Sequence, residues 1–422
     1  MSSMLLLTLT GCFLFAGYGV LIDFYRRAWT AIPIFTPSAG VAETSQTSQT
    51  GQTSPTSQTS RTKISVLVPA RNEAANIGDC IKSLSLQSYP KNLYQVIVID
   101  DHSTDGTGEI VRNLSYPGLE LSCLWLAEIG TGEGRPVKAY KKFAIETGIR
   151  AASGELIVTT DADCFFHPEW LTTLAAFYEE KRAKFIAAPV RIGGLPKGPA
   201  QTPGGVPAPA IAPTSFLSIF QTLDFITLQG ITGAAVYKRF HSMCNGANLA
   251  YEKKAFYEAE GFKGIDAIPS GDDMLLMHKI YNKYPDGVFF LKSPRAIVST
   301  RPEASWRGFI HQRVRWASKA DSYKDKRIFW VLLLVYVINA LFVVLPIAAC
   351  WNSWWLYLLL AGLLIKTIME YSFVRTVAGF FGQQSLMIYF PFLQPFHIIY
   401  TVVIGWMGKF SSYRWKDRKI SK

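Results

Sequence analysis

Gly154-Glu155-Leu156-Ile157-Val158-Thr159-Thr160-Asp161-Ala162-Asp163 is the stretch that decides the fold. A short β-branched run ends abruptly in two acids set two residues apart. β-Branched side chains suit a pleated, half-buried strand. Residues i and i+2 of an extended chain project to one side, so Asp161 and Asp163 converge. The pattern has a precedent upstream, Val96-Ile97-Val98-Ile99-Asp100-Asp101, followed by the turn His102-Ser103-Thr104-Asp105-Gly106-Thr107. Further apolar runs stand at Ile64 to Val68 and near Leu121 to Leu126. Between them the pattern is helix-like: Ala75 to Leu86, a stretch after Asp105, and Val137 to Ala151. Strands alternating with helices predict right-handed crossovers and an α/β domain with a mostly parallel sheet. Such sheets bind ligands beyond the carboxyl ends of their strands.

Outside this region the composition changes. Hydrophobic residues make up 49% of the 422 residues and charged residues 18%, which argues against a wholly soluble protein. The apolar residues gather at the two ends. Met4 to Ile22 is an uncharged run of about one bilayer thickness. Only Met-Ser-Ser precedes it, so it lacks the basic leader of a cleaved signal peptide. Arg26 and Arg27 follow it, and the positive-inside rule then puts the downstream domain in the cytoplasm, on the inner face of the cell membrane. Two more spans are expected at Ile328 to Cys350 and Trp354 to about Met369. A third stretch, Leu386 to Met407, is interrupted by Pro391 and Pro395. As a full crossing it would put the basic tail outside; as a re-entrant or interfacial segment it would keep the tail inside, and the second is the expectation.

The expected layout is therefore an anchor over 1–27, a linker over 28–62, the α/β domain over 63–300, an amphipathic interface segment over 301–327, membrane segments over 328–409 and a basic tail over 410–422. Ser45 to Thr62 is low-complexity Ser, Thr, Gln and Gly with nothing apolar to bury, which predicts disorder. Gly193 to Pro213 is a Pro- and Gly-rich loop. Phe216 to Leu228 and Gly308 to Ala320 have the pattern of amphipathic helices lying near the membrane. The net charge of +12 falls largely beside the apolar segments, as membrane flanks do, and no nucleic-acid motif accompanies it. Six scattered cysteines without a CxxC pair indicate neither a disulfide framework nor a zinc site.

Four blocks carry the chemistry. Asp100 and Asp101 sit where a carboxylate can accept from a nucleoside, or they are solvated turn residues; Asp105 reads as a helix cap. Asp161 and Asp163 are hard oxygen ligands suited to Mg²⁺ or Mn²⁺ alongside phosphate oxygens. Ser270-Gly271-Asp272-Asp273 precedes a helix-like run from Met274. Its acids either cap that helix or supply a general base. Gln312-Arg313-Val314-Arg315-Trp316 puts Gln312 on one helix face with Arg315 or Trp316. An indole can floor a sugar ring and Arg can hold a diphosphate, although a basic-aromatic pentapeptide is also an ordinary interfacial anchor.

In this order the blocks resemble the family 2 inverting glycosyltransferases of GT-A fold, and most closely the membrane-integrated cellulose, hyaluronan, chitin and poly-N-acetylglucosamine synthases. The family's early Asp, DxD, (T/G)ED and QxxRW stand here as Asp101 with Asp100, Asp161-Ala162-Asp163, Gly271-Asp272-Asp273 and Gln312 to Trp316. Asp272 departs from the commoner Glu. The opening Val66-Leu67-Val68-Pro69-Ala70-Arg71-Asn72-Glu73 is similar to the family's first strand and nucleotide-contacting loop, and Lys141-Lys142-Phe143-Ala144-Ile145 to a segment whose basic residue, here taken as Lys142, lies near the diphosphate.

The resemblance implies a nucleotide-sugar donor, UDP-linked or less often GDP-linked. Pro69, Arg71, Glu73, Asp100 and Asp101 would hold the nucleoside, Asp161 the ribose or sugar, and Asp163 with Asp161 the metal. Lys142 and Arg315 would lie at the diphosphate, Gln312 and Arg313 would bind substrate, Trp316 would floor the acceptor site, and Asp273 with Asp272 would be catalytic. It implies a polysaccharide acceptor; the small number of crossings would then call for an oligomer or an export partner. A membrane-lipid acceptor is the alternative, because about three or four crossings are few for a polymer channel. A non-catalytic scaffold is the third class. Gly130-Thr131-Gly132-Glu133-Gly134 lacks the strand-to-helix context of a dinucleotide loop. His102, His167, His241, His278 and His311 lack metal-ligand spacing, and Asn245-Gly246-Ala247-Asn248 resembles an acceptor-side loop.

Overall fold

The computed structural model describes residues 3–37, 61–129, 139–193, 213, 215–240, 243–318, 325–410, 413–415 and 418–420. Most of the linker, the loop after Gly193, the Gly130 to Gly134 segment, His241 and much of the basic tail lie outside the described residues. The chain divides into two units, one formed by the described residues within 33–211 and 243–301, the other by those within 1–32, 212–242 and 302–422.

The first unit is built on a seven-stranded sheet. Its strands are β1 (Ile64–Ala70), β2 (Tyr94–Asp100), β3 (Glu120–Trp125), β4 (Leu156–Thr159), β6 (Phe185–Ala187), β8 (Leu249–Glu252) and β9 (Val288–Phe290). Their spatial order is β3-β2-β1-β4-β8-β6-β9. β8 pairs antiparallel with β4 and β6, and every other pairing in the sheet is parallel. The sheet is thus mixed α/β and mostly parallel. All seven residues of β2 are buried, as are all four of β4, which is why these strands read as continuous apolar runs. Helices Ile77–Ser85, Thr107–Asn113 and Tyr140–Ala151 fall at the helix-like stretches of the sequence.

The entry to β4 tolerates no side chain. A Cβ on Gly154 would lie 2.6 Å from the backbone of Ile64 and Ser65. The glycine instead lets its N–H donate to Ser65 Oγ at 2.8 Å, which sets β4 against β1. A second sheet joins β5 (Phe165–Phe166), β10 (Val298–Thr300) and β7 (Val190–Ile192) in the order β5-β10-β7. Sequence patterning did not foresee these two- and three-residue strands.

The second unit is helical. Among the described residues four helices are long and apolar enough to cross a membrane: Thr8–Ala31, Lys326–Ala349, Trp354–Phe380 and Phe390–Phe410. The last corrects the expectation of a Pro-broken segment. Pro391 falls in the first turn, where its missing N–H has no helical partner to lose, and Pro395 removes only one interior bond. The Phe216–Tyr237 helix also departs from expectation. It is longer than the amphipathic stretch and largely buried, packing against the Ser3–Ala31 and Trp354–Phe380 helices. A Cβ on its Gly230 would meet Val377 at 2.5 Å and Phe373 at 2.8 Å. The Trp306–Ala317 helix lies on Phe390–Phe410, with Val314 and Ile404 buried together.

Candidate functional site

Three segments of the first unit meet around one lysine. β4 ends at Thr159, and the Thr160 N–H donates to Leu67 O at 3.1 Å, so the chain leaves the sheet beside β1. Asp161 Oδ1 accepts from Lys141 Nζ at 2.7 Å. The same ammonium stands 3.5 Å from Asp272 Oδ2. A Cβ on Gly246 would come within 3.3 Å of that ammonium and 3.4 Å of Asp272 Oδ2, so the 245–248 loop closes against the same point. Burial alone would lower the Lys141 pKa, but the carboxylates of Asp161, Asp272 and Asp273 outweigh it and raise the pKa well above the ordinary value.

Asp163 is the strained member. Its Oδ2 accepts from Thr300 Oγ1 at 3.0 Å. Burial, then the neighbouring charges of Asp161 and Glu73, push its carboxyl up to about 6. Asp273 is the N-cap of the Met274–Lys283 helix, its Oδ1 accepting from the Met274 N–H at 2.7 Å. Gly271, at φ +79°, makes the turn that brings both acids to the helix start.

The neighbouring strand ends form the other side. β1 and β2 run in register from Ile64↔Tyr94 to Ala70↔Asp100, placing Pro69 beside Ile99. Arg71 Nη1 donates to the carbonyls of Asp101 and His102 at 2.7 and 3.2 Å. Asp101 Oδ1 lies 3.0 Å from His102 Nδ1. Asp100 Oδ1 accepts from the Ser103 N–H at 2.8 Å, while its Oδ2 is buried without a hydrogen-bond partner among the described residues. Glu73 accepts from Asn76 Nδ2 at 2.7 Å. Asp105 ties two loops together, accepting from the N–H groups of Ala74 at 2.9 Å and Thr107 at 3.1 Å. Against the effect of burial, these bonds and the Thr107 hydroxyl hold its carboxyl below the usual value.

Two expectations are corrected. Lys142 does not face the acids. Its ammonium is buried and donates to the carbonyls of Ile265, Ile268 and Ser270 at 2.7, 2.7 and 2.9 Å. Adjacent helical residues point about 100° apart, so only one of the two lysines could face the cluster, and that one is Lys141. Arg313, in the helical unit, is only 2% exposed and is paired with Asp224, which leaves it no open face toward a substrate. Gln312 is engaged as well, donating to Glu303 Oε1 at 3.1 Å and accepting from Arg313 Nη1 at 2.8 Å. Arg315 and Trp316 lie on the same helix and are half-buried. Sequence reasoning missed Asp224, although it is the only charged residue in the apolar run Phe216–Tyr237.

Among the described residues no three His, Cys, Asp or Glu side chains gather to hold a metal. The donor set nevertheless suits a hard divalent cation, because Asp161 and Asp163 crowd negative charge that raises the Asp163 pKa. Phosphate and water oxygens would have to complete the shell.

Residues 61–318 match the family described as glycosyltransferase like family 2. The glycosyltransferase AglE of Haloferax volcanii is 38% identical over 110 residues, which are 26% of this chain and 33% of AglE. The protein named "Probable glycosyltransferase YdaM" of Bacillus subtilis is 26% identical over 262 residues, 60% of this chain and 54% of that protein. The matched stretches thus span only about a third and a half of these relatives. The solved mannosyltransferase PcManGT of Pyrobaculum calidifontis, in complex with GDP-Man and Mn²⁺, aligns over 92% of this chain and 97% of its own at a TM-score of 0.51 and 18% identity. That likeness speaks for a GT-A-type fold.

Proposed function

The chain belongs to the glycosyltransferase-like family 2, and on that premise we propose that it transfers a sugar from a nucleotide-sugar donor to an acceptor at the cytoplasmic face of the cell membrane. The observation that carries this reading is the meeting of Asp161, Asp272 and Lys141 at the strand ends, with Asp163 alongside. The donor is UDP-linked in this reading. Asp100, Asp101, Pro69, Arg71 and Glu73 hold its nucleoside, and Asp161 orients its sugar. Asp163 and Asp161 would hold Mg²⁺ or Mn²⁺, which would offset negative charge on the departing diphosphate. Lys141 supplies a fixed positive charge at the same place. Asp273 takes the proton of the acceptor hydroxyl as its oxygen attacks the anomeric carbon opposite the departing nucleoside diphosphate; the bond to the diphosphate breaks and that centre inverts. Arg315 and Trp316 serve the acceptor side.

The acceptor in this reading is a growing polysaccharide, as in the membrane-integrated synthases. A membrane-lipid acceptor is the second reading, favoured by the presence of only four apolar helices among the described residues. Membranes carrying the protein would be given labelled nucleotide sugars, and chloroform-soluble product separated from high-mass polymer. Asp273→Asn is expected to keep donor binding while losing about 10²- to 10⁴-fold in product formation. Product at near wild-type rate from that variant would remove Asp273 as the base. No product from the wild type with any donor would favour a non-catalytic scaffold.

A further inference from the structure

The helical unit contains a buried ion pair that the proposed chemistry leaves unused. Asp224 is 7% exposed and lies on the Phe216–Tyr237 helix; Arg313 belongs to the QRVRW segment of Trp306–Ala317. Arg313 Nε donates to Asp224 Oδ2 at 2.9 Å, and Nη2 lies 2.8 Å from the same oxygen. The guanidinium is stacked between two rings of its own helix, 4.8 Å from the Phe309 centroid and 4.2 Å from that of Trp316. Its remaining arm donates to Gln312 Oε1. On the far side of Asp224, His397 Nε2 stands 3.8 Å from Oδ1. His397 follows Gln394 by one helical turn, and Gln394 bonds Lys366 and Glu370.

We infer that Asp224 is a positioning residue for the QRVRW segment: by holding the Arg313 guanidinium it sets Trp316 and Gln312 in place. A buried guanidinium without its carboxylate cannot stay where it is. Arg313 would turn away, and the indole of Trp316 would lose the planar group stacked on it. The identity of the partner matters because Asp224 Oδ2 accepts from Nε and carries the charge opposite Nη2. That Trp316 serves the acceptor rests on the function proposed above; the fixing of Trp316 and Gln312 by Asp224 does not.

The test uses full-length protein in detergent micelles, with hydrogen–deuterium exchange read over residues 306–317 for Asp224→Asn, Arg313→Gln and the double variant. Both single variants are expected to speed exchange there, and the double variant to add nothing further, since residues acting as one unit are non-additive. Unchanged exchange in folded Asp224→Asn, or effects that simply add, would overturn the inference. Activity is read in parallel, in membranes with their own acceptors and whichever labelled nucleotide sugar the wild type uses. Asp224→Asn should lower turnover per folded molecule about 10- to 100-fold at nearly unchanged donor KM, as expected for a misplaced substrate-positioning group. Asp224→Glu should recover part of it. Altered exchange with unaltered turnover would leave the positioning role standing and remove QRVRW from the acceptor site.

Discussion

Two charged clusters in the molecule differ in one respect. Around Lys366, in the helical unit, the charges are closed on each other. Lys366 Nζ donates to Glu370 Oε1 at 2.6 Å and Gln394 Oε1 at 3.1 Å, Gln394 Nε2 donates to Glu370 Oε2 at 2.5 Å, and the Tyr18 hydroxyl completes the set. Four side chains from three helices satisfy one another on segments apolar enough to cross a membrane. Beyond the end of the central strand β4 the balance is broken. Lys141 serves Asp161 and Asp272, while Asp163 is pushed up to about 6 by burial and by neighbours of its own sign. A closed network is architecture, because nothing is left for a ligand to do. An acid cluster short of positive charge is the kind of place where a cation and a diphosphate are stable.

The difference can be broken from the closed side first. Lys366→Met alone leaves the buried Glu370 carboxylate without its cation and is expected to cost about 3–5 kcal/mol. The paired change Lys366→Met with Glu370→Leu should restore most of that loss, since a buried pair is often replaceable by apolar side chains. Thermal unfolding in micelles measures both. Equal losses from the single and the double variant would mean that the network is not closed.

A smaller effect sharpens the open side. In the metal-free protein the Asp163 carboxyl titrates at about 6 when folded and near the ordinary 3.9 when unfolded. The folded state therefore holds a proton that the unfolded state releases, and stability falls as pH rises from about 4 to 6. The fall is about 3 kcal/mol, and the profile is flat above that window. Asp163→Asn should abolish this slope in EDTA-treated protein, as read from denaturant midpoints at several pH values. Retention of the slope would place the titrating group elsewhere.

Much of the catalytic unit was legible because its central strands are buried on both faces. β1, β2 and β4 read as β-branched runs, and acids mark the ends of β2 and β4. β6, β7, β9 and β10 were not legible, since three residues are too few to show a period. Lys141 and Lys142 could not be told apart, because the choice depends on the rotation of the Tyr140–Ala151 helix about its axis. Gln312 to Trp316 was recognised as a block, but its inner arginine was misassigned because the partner, Asp224, lies 89 residues away in a run that otherwise reads as apolar. The Phe390–Phe410 helix survived its prolines because Pro391 sits in the first turn.

The acids that follow β4 can be tried directly by calorimetric titration of full-length protein with UDP and, separately, GDP, each with Mn²⁺ and with EDTA. One nucleotide should bind in a Mn²⁺-dependent way, and Asp163→Asn should lose that binding while the Lys366→Met, Glu370→Leu pair keeps it. Nucleotide binding that ignores both EDTA and the Asp163 substitution would contradict a diphosphate and metal site at Asp161 and Asp163.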